Sequence, residues 1–245
     1  MKPLFKKLPF VILAYPRTGS YLLVDLLKQF GDIVCYGEIF KKGMHELPPD
    51  IRQNVGMPVE KRDLTPLAFL SKVVQQEPEK LSGFKIFPRH NARVFDWAVS
   101  NANVKKLALI RSPFEVYVSL LRAEATGSWI DKGNGKKSLE TPLRFNPEKF
   151  EKEIKYVNGH NSRLKRLASK QPKSVKIVEY DELQDPEKIR TFAKFVGSKD
   201  FSTEVEYRLK KQTTETYSEL FENFEELLEY VSRTHPEMNI PEDRI

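Results

Sequence analysis

The sequence contains one cysteine, Cys35, and four scattered histidines in 245 residues. A single cysteine excludes an intramolecular disulfide, and the simplest inference is a reducing compartment, so a cytoplasmic location is expected. The histidines and the cysteine do not occur at the spacing of a metal site, and no metal is predicted. No apolar run reaches the roughly 20 residues that a membrane helix needs, so no transmembrane segment is predicted.

Positive charge exceeds negative charge, with 41 Lys and Arg against 34 Asp and Glu and a net charge of +7. This balance suits a polyanionic ligand, an acidic surface or nucleic acid, and does not choose among them. The basic residues are spread along the chain rather than gathered in a tail, which weakens the nucleic-acid interpretation. With 40% hydrophobic residues, the composition is that of a soluble globular protein. One domain over residues 1–245 is predicted.

The chain is organised around residues 10–30. A short apolar run over 10–15 predicts a buried strand, and the small, polar segment 16–20 interrupts it. An amphipathic helix follows, because Leu22, Leu23, Leu26 and Leu27 recur at helical spacing. A strand, a tight loop and a helix form an anion site in many α/β proteins, since the free N–H groups of the helix point at the ligand. An ordinary strand-to-helix turn explains the loop alone equally well.

Strands and helices alternate along the rest of the chain, which predicts an α/β fold with a mostly parallel central sheet flanked by helices. Further strands are predicted at 33–36, 81–87, 105–110 and 175–178. Residues 41–66 are predicted to be a long connection with short helices. One helix in the tail of the chain is expected to bury Leu220, Phe224, Leu227, Leu228 and Val231. Other helices are predicted at 67–75, 95–99, from 113 onwards, at 146–170 and at 186–196.

The helix that starts near residue 113 has a clear sequence signal. Ser112 and Glu115 have the spacing of a capping box, and Pro113 fits the first helical position. Glu115 and Arg122 are expected on a solvated face. Residues 126–146 are rich in Gly, Lys, Ser and Asn, which predicts a mobile lid or a disordered loop. Trp129 in this loop either stacks on a sugar or anchors the loop to the core.

Ligands of parallel sheets bind where the strands end, and the 16–21 loop, Glu38, Lys85 and Arg111 are all expected there. The 16–21 loop is one candidate anion site, and Arg111 with Ser119 on the next helix is another. The loop lacks the lysine of the nucleotide-binding motif G-x-x-x-x-G-K-[ST], because Ser20 and Tyr21 follow Gly19. Its absence counts against an ordinary kinase or NTPase.

The stretch PRTGSYLL at 16–23 resembles the 5′-phosphosulfate loop of sulfotransferases that use 3′-phosphoadenosine-5′-phosphosulfate (PAPS). The stretch RSPFEVYVS at 111–119 resembles their 3′-phosphate motif, an Arg and a Ser eight positions apart at a strand–helix junction. The likeness is closest to bacterial carbohydrate sulfotransferases that modify nodulation factor or trehalose. Weaker matches follow in the same order: Gly37-Glu38, Gly83-Phe84-Lys85, Arg122-Ala123 with Trp129, Glu179-Tyr180 with Leu183, Lys211-Gln212 and residues 222–227.

The resemblance implies a P-loop-NTPase-like three-layer sandwich and transfer of a sulfuryl group from PAPS to a hydroxyl of a carbohydrate or another small acceptor. The product would be adenosine 3′,5′-bisphosphate, and no metal is required. Arg17 and Lys85 would act in catalysis, Arg17 by stabilising charge on the leaving phosphate. A strand-end charge is the alternative for Lys85. The implied donor-binding residues are Arg17, Thr18, Gly19, Ser20, Tyr21, Leu22, Arg111, Ser119, Lys211 and Gln212.

The same resemblance implies Glu38 as the general base. Animal cytosolic sulfotransferases carry a histidine two residues after a strand lysine, but here that position is Phe87. His90 is expected to be a surface histidine. Burial would raise the pKa of Glu38 and nearby cations would lower it. A plain salt bridge from Glu38 to Arg17 or Lys85 is the alternative interpretation.

Two other functions remain open at this point. One is an atypical phosphotransferase on the same fold, and the other is a non-catalytic module that binds nucleic acid or another polyanion. The second lacks a recognisable nucleic-acid motif. No motif in 41–66 or 126–146 identifies the acceptor, and nothing in the sequence predicts an oligomeric state.

Overall fold

The computed structural model describes residues 4–44, 46–129, 139–209, 215–238 and 240. Lys211 and Gln212, predicted to contact the donor, lie outside the described residues. So does the larger part of the glycine-rich stretch within the predicted 126–146 loop.

Strands and helices alternate as the sequence predicts. The strands are β1 (Phe10–Leu13), β2 (Ile33–Tyr36), β3 (Leu81–Ile86), β4 (Lys106–Ile110) and β5 (Val175–Glu179). The helices are α1 (Ser20–Leu27), α2 (Pro49–Val55), α3 (Val59–Leu64), α4 (Pro66–Val74), α5 (Ala92–Ser100), α6 (Pro113–Thr126), α7 (Pro147–Lys170), α8 (Pro186–Val196), α9 (Tyr217–Leu220) and α10 (Phe224–Thr234). A short 3₁₀ helix, Tyr180–Gln184, follows β5.

The five strands form one parallel sheet in the order β2-β3-β1-β4-β5. Leu13 at the end of β1 is paired with Ile86 on β3, and Tyr36 at the end of β2 is paired with Phe84 on β3. All strands point the same way, so their carboxyl ends share one edge of the sheet. The segments that follow β1, β2 and β3 therefore start side by side.

Helices cover both faces of the sheet. Val11 and Leu13 of β1 belong to one buried cluster, with side chains of α2, α4, α5 and the carboxyl-terminal end of α7. Phe10 and Ile12 belong to another cluster, with side chains of α1 and α8. This alternation places helix, sheet and helix in three layers and confirms the predicted fold class.

The chain divides into two compact units. The first, Met1–Ile110 with Arg163–Glu206, contains the sheet. The second, Arg111–Ser162 with Tyr207–Ile245, has its own aromatic core. Phe114 packs edge-on against Tyr217, with ring centroids 5.1 Å apart. A single domain over 1–245 stays a prediction.

Three local predictions in the second unit are wrong. Helix α6 begins at Pro113 as expected, but the Ser112 side chain makes no capping hydrogen bond, and the Glu115 carboxylate pairs with Arg111. Glu115 and Arg122 are buried rather than solvated. The predicted tail helix is interrupted between α9 and α10, where the Leu143 backbone bonds to the carbonyl of Leu220 and the N–H of Glu222. This pairing competes with helix continuation at Phe221.

Candidate active site

The loop between β1 and α1 is a tight turn. The Thr18 hydroxyl donates to the Tyr15 carbonyl at 2.7 Å, and the Thr18 N–H donates to the same oxygen at 3.4 Å. Arg17 and Gly19 both have left-handed backbone angles, with φ of 67° and 87°. Only glycine adopts that region without strain, so the turn costs free energy at Arg17. Such non-glycine conformations cluster at functional sites.

Gly19 is required by packing as well as by its backbone angle. A Cβ atom there would lie 2.6 Å from the ring of Tyr180 and 3.1 Å from Leu183. Both residues belong to the 3₁₀ helix after β5. This helix therefore packs directly against the loop.

Helix α1 begins directly after the loop, and no side chain caps its first turn. Its cap is Gly19, which has no side chain to accept from the first N–H groups. The first turn also contains no acidic residue. An anion near such a helix start gains from both the free donors and the helix dipole.

Lys85 and Glu38 meet beside this loop. Lys85 lies on β3, and Glu38 follows the end of the neighbouring strand β2. The Lys85 Nζ atom is 3.0 Å from Glu38 Oε1 and donates to Ser20 Oγ at 3.3 Å. The Lys85 side chain is fully buried. The structure therefore brings Ser20, Glu38 and Lys85 together, as the sequence predicts.

His90 also contacts Glu38, so the expectation of a surface histidine is wrong. Its Nε2 atom is 3.4 Å from Glu38 Oε2, and its side chain is only 11% exposed. The chain turns back after β3, because the His90 N–H donates to the Phe87 carbonyl at 3.1 Å. The Phe87 N–H in turn donates to His90 Nδ1 at 3.4 Å. Residue spacing along β3 does not reveal this reversal.

Sequence reasoning missed Glu46, a second carboxylate at the site. It accepts a hydrogen bond from the Tyr21 hydroxyl, at 2.9 Å and 3.0 Å to its two oxygens. It also accepts from the Glu38 N–H at 2.8 Å. The Lys85 Nζ atom lies 2.9 Å from the centre of the Tyr21 ring. No motif marks Glu46, because it lies in the 41–66 connection, where no periodicity assigns a partner.

A buried arginine, Arg62 on α3, holds the segment between the two carboxylates. Its guanidinium donates to the carbonyls of Ile39 at 3.1 Å, Lys41 at 3.0 Å and Met44 at 2.6 Å. Its Nε atom bonds to Asp63 at 2.8 Å. Sequence reasoning missed this contact as well, since a lone arginine in a charged segment usually indicates a solvated surface.

The ionisation of these groups depends on their close packing. Burial raises the pKa of Glu38, but the hydrogen bond with His90 and the charge of Lys85 outweigh it and lower the pKa to about 2. Burial lowers the pKa of Lys85 to about 8, although Glu38 opposes that change. Burial and the two carboxylates raise the pKa of Tyr21 far above its usual range. Near neutral pH the site thus contains an ionised Glu38 and a protonated Lys85.

The predicted 3′-phosphate residues belong to the second unit. Arg111 precedes α6, and its Nη2 atom is 3.3 Å from Glu115 Oε1. The Arg111 carbonyl accepts from Asn161 Nδ2 at 2.9 Å. Ser119 is buried on α6. Trp129 is 50% exposed, which argues against a core role.

Within the described residues, no group of three or more His, Cys, Asp or Glu side chains is arranged to hold a metal ion. None of the described helices has the length and apolar character needed to cross a membrane.

Nodulation protein H from Rhizobium tropici is 25% identical to this chain over 224 residues, which cover 89% of this chain and 87% of that protein. A crystal structure of a sulfotransferase from Alicyclobacillus acidocaldarius matches with a TM-score of 0.50. That match covers 93% of this chain and 92% of the other at 15% identity, so it bears on the fold alone. The comparisons support a sulfotransferase family. No protein-family model matches the chain.

Sulfuryl transfer is the general reaction that the similarity to nodulation protein H supports. A sulfotransferase has to bind an anionic donor and to deprotonate an acceptor. In the first unit, the 16–21 loop before α1 lies next to the Lys85–Glu38 pair.

Proposed function

We propose that this protein transfers a sulfuryl group from PAPS to a hydroxyl group of a carbohydrate or another small acceptor. The observation that carries the proposal is the position of Lys85. Its ammonium lies 3.3 Å from Ser20 at the start of α1 and 3.0 Å from the carboxylate of Glu38. A cation between an anion-binding loop and a carboxylate base suits transfer of an anionic group.

We assign the two phosphate-bearing ends of the donor to the two groups of residues that the sequence resemblance implies. The backbone N–H groups of residues 17–22, with the side chains of Arg17, Ser20 and Tyr21, would hold the 5′-phosphosulfate. The Thr18 hydroxyl supports the turn from inside, since it donates to Tyr15. Arg111 and Ser119 would hold the 3′-phosphate, with Lys211 and Gln212 adding contacts. Support for the second assignment comes from the sequence resemblance.

PAPS, when bound, supplies the sulfuryl group and a phosphate leaving group. Glu38 accepts the proton of the acceptor hydroxyl as the acceptor oxygen bonds to sulfur and the sulfur–phosphate oxygen bond breaks. Arg17 and the N–H groups at the start of α1 stabilise the negative charge that grows on the leaving phosphate. Lys85 binds the transferring sulfonate.

Glu38 must become a stronger base for this step, since a carboxylate with a pKa of about 2 binds protons weakly. Movement of Lys85 away from Glu38 would raise the pKa of Glu38. When Lys85 turns to the sulfonate, Glu38 loses its nearest positive charge and its pKa rises. Donor binding would thus activate the base, and the ion pair would keep Glu38 inactive in the resting protein.

A carbohydrate acceptor is supported by the similarity to nodulation protein H and by the sequence resemblance to carbohydrate-modifying enzymes. A cytoplasmic location is supported by the single cysteine, which is buried and free.

The test uses two measurements on the wild-type protein. Calorimetry should show tighter binding of adenosine 3′,5′-bisphosphate than of ATP or adenosine 5′-monophosphate, because only the bisphosphate satisfies both phosphate sites. Sulfur-labelled PAPS should transfer label to at least one member of a panel of sugars and other hydroxylated acceptors.

Two outcomes would overturn the proposal. Tighter ATP binding with phosphate transfer from labelled ATP would indicate a phosphotransferase. Strong, salt-dependent binding of oligonucleotides with no label transfer would indicate a polyanion-binding module.

A further inference from the structure

Glu46 connects two parts of the candidate site that are distant in sequence. Its carboxylate accepts from the Tyr21 hydroxyl on α1 at 2.9 Å and from the Glu38 N–H after β2 at 2.8 Å. One carboxylate thus fixes both the helix side chain that follows the phosphate loop and the backbone of the proposed base. Hydrogen bonds to an ionised acceptor are about twice as strong as neutral ones, so this is a firm connection.

The Lys85 ammonium packs against the face of the Tyr21 ring. The Lys85 Nζ atom is 2.9 Å from the ring centre, in the position of a cation–π contact. Because Glu46 holds the Tyr21 hydroxyl, it also fixes the plane of that ring. The place of the Lys85 ammonium therefore depends on Glu46, although the two side chains share no hydrogen bond among the described contacts.

Neighbouring residues are arranged to bring Glu46 this close. A Cβ atom at residue 37 would lie 2.8 Å from Glu46 Oε2, so the glycine at that position leaves room for the carboxylate. Arg62 binds the carbonyls of Ile39, Lys41 and Met44, which lie between Glu38 and Glu46. A surface carboxylate that only pairs with a lysine needs neither the glycine nor the arginine.

We propose that Glu46 is a positioning residue for sulfuryl transfer, which acts by holding the Tyr21 ring beneath Lys85 and the backbone of Glu38 beside it. The inference rests on the proposed function, because it assigns Glu46 a part in that same reaction. The simpler alternative is a surface ion pair with Lys41, whose Nζ atom is 3.6 Å from Glu46 and whose side chain is 47% exposed.

The negative charge of Glu46 adds a second, measurable effect. Lys85 is faced by Tyr21 from α1, by Cys35 from β2, and by Glu38 and Glu46 from the segment after β2, with His90 behind Glu38. Burial lowers the pKa of Lys85 to about 8, and Glu46 is among the groups that oppose this change. Removing the charge of Glu46 should therefore lower the pKa of Lys85 further.

The experiment compares Glu46→Gln with Lys41→Gln. In Glu46→Gln, kcat should fall about tenfold, because Glu46 positions Lys85 and Glu38. The affinity for adenosine 3′,5′-bisphosphate should fall less, by about threefold at most, because Tyr21 is only one of the groups proposed to hold the 5′-phosphate. The alkaline limb of the pH–rate profile should move to lower pH, since the reaction needs protonated Lys85. Glu46→Asp keeps the charge, so it should restore the pH profile but only part of kcat. Lys41→Gln should match the wild type.

A second readout does not depend on activity. Carbon-13 NMR of labelled lysines, with Lys85 assigned from the signal missing in Lys85→Arg, gives the Lys85 titration midpoint, which should be lower in Glu46→Gln than in the wild type. An unchanged midpoint and unchanged kcat in a folded Glu46→Gln protein would overturn the inference, as would an equal loss of activity in Lys41→Gln. A wild-type protein without sulfuryl transfer would instead refute the proposed function, and the titration would still decide whether Glu46 controls Lys85.

Discussion

Glu38 lies between two basic side chains, with Lys85 at 3.0 Å and His90 at 3.4 Å. The sequence left two alternatives for this residue, a salt bridge and a general base. The structure has the salt bridge to Lys85, and the base role stays a proposal. The two are compatible, because an ion pair that breaks on donor binding keeps the carboxylate ionised until it is needed.

Glu38→Gln removes the proposed proton acceptor while keeping the size of the side chain. We expect kcat to fall by roughly a hundredfold or more, with little change in the affinity for adenosine 3′,5′-bisphosphate. Steady-state kinetics with labelled PAPS and calorimetry measure the two quantities. Glu77→Gln is the control, because Glu77 forms a partly exposed pair with Lys80 away from the proposed chemistry. A full rate in Glu38→Gln would exclude Glu38 as the base.

Gly19→Ala tests the packing of the phosphate loop. Its backbone φ of 87° and the Tyr180 ring 2.6 Å from the new Cβ both oppose the substitution. We expect the free energy of unfolding to fall by about 3 kcal/mol, and bisphosphate affinity to fall with it. Gly127→Ala is a matched control: its φ is 63°, but nothing lies within 4 Å of the added atom. That variant should lose only about 1 kcal/mol in chemical denaturation. Equal losses in the two variants would show that the Tyr180 contact contributes nothing.

At the scale of elements, the described residues between β2 and α2 form neither helix nor strand, yet they include both site carboxylates. Three of their backbone carbonyls, those of Ile39, Lys41 and Met44, accept hydrogen bonds from the Arg62 side chain. A buried guanidinium with several acceptors can fix such a segment because it forks towards more than one oxygen.

Arg62→Met removes the guanidinium that donates to the carbonyls of Ile39, Lys41 and Met44. We expect a loss of about 3 kcal/mol in the free energy of unfolding and faster proteolysis between residues 39 and 48. Denaturant titration and limited proteolysis with mass spectrometry measure these effects. Arg93→Met serves as the comparison, because Arg93 makes one exposed hydrogen bond, to the Leu64 carbonyl at 3.2 Å. Protection of residues 39–48 in both variants would contradict the proposed role of Arg62.

At the scale of the whole molecule, a buried lysine, Lys106, lies at the opposite end of the strands from the candidate site. Lys106 begins β4 and is fully buried, and its Nζ atom donates to Asn101 and Gln171 at 2.8 Å. Burial, and to a lesser degree Lys105, lowers the pKa of Lys106 to about 8, below the 10.5 of an exposed lysine. Between these values the unfolded chain holds a proton that the folded chain has lost, so stability rises with pH.

Lys106→Met should remove this pH dependence. From pH 8 to pH 10.5, the wild-type free energy of unfolding should rise relative to that of the variant by about 1 kcal/mol or more. Urea denaturation of both proteins at several pH values measures the difference between their free energies of unfolding. Other groups that titrate in this range contribute equally to both proteins and therefore cancel. A difference that stays constant with pH would mean that Lys106 keeps an ordinary pKa when folded.

The sequence by itself determined the parallel α/β sheet, the loop and helix at residues 16–27, and the approach of Glu38 to Lys85. These follow from local periodicity and from one rule, that parallel strands end at a common edge. Only the tertiary structure decided the contacts of His90, Glu46 and Arg62, and the pairing of Glu115 with Arg111. Those contacts depend on how irregular segments fold back, where side-chain hydrogen bonds between residues distant in sequence replace the regular backbone pattern that a sequence reveals.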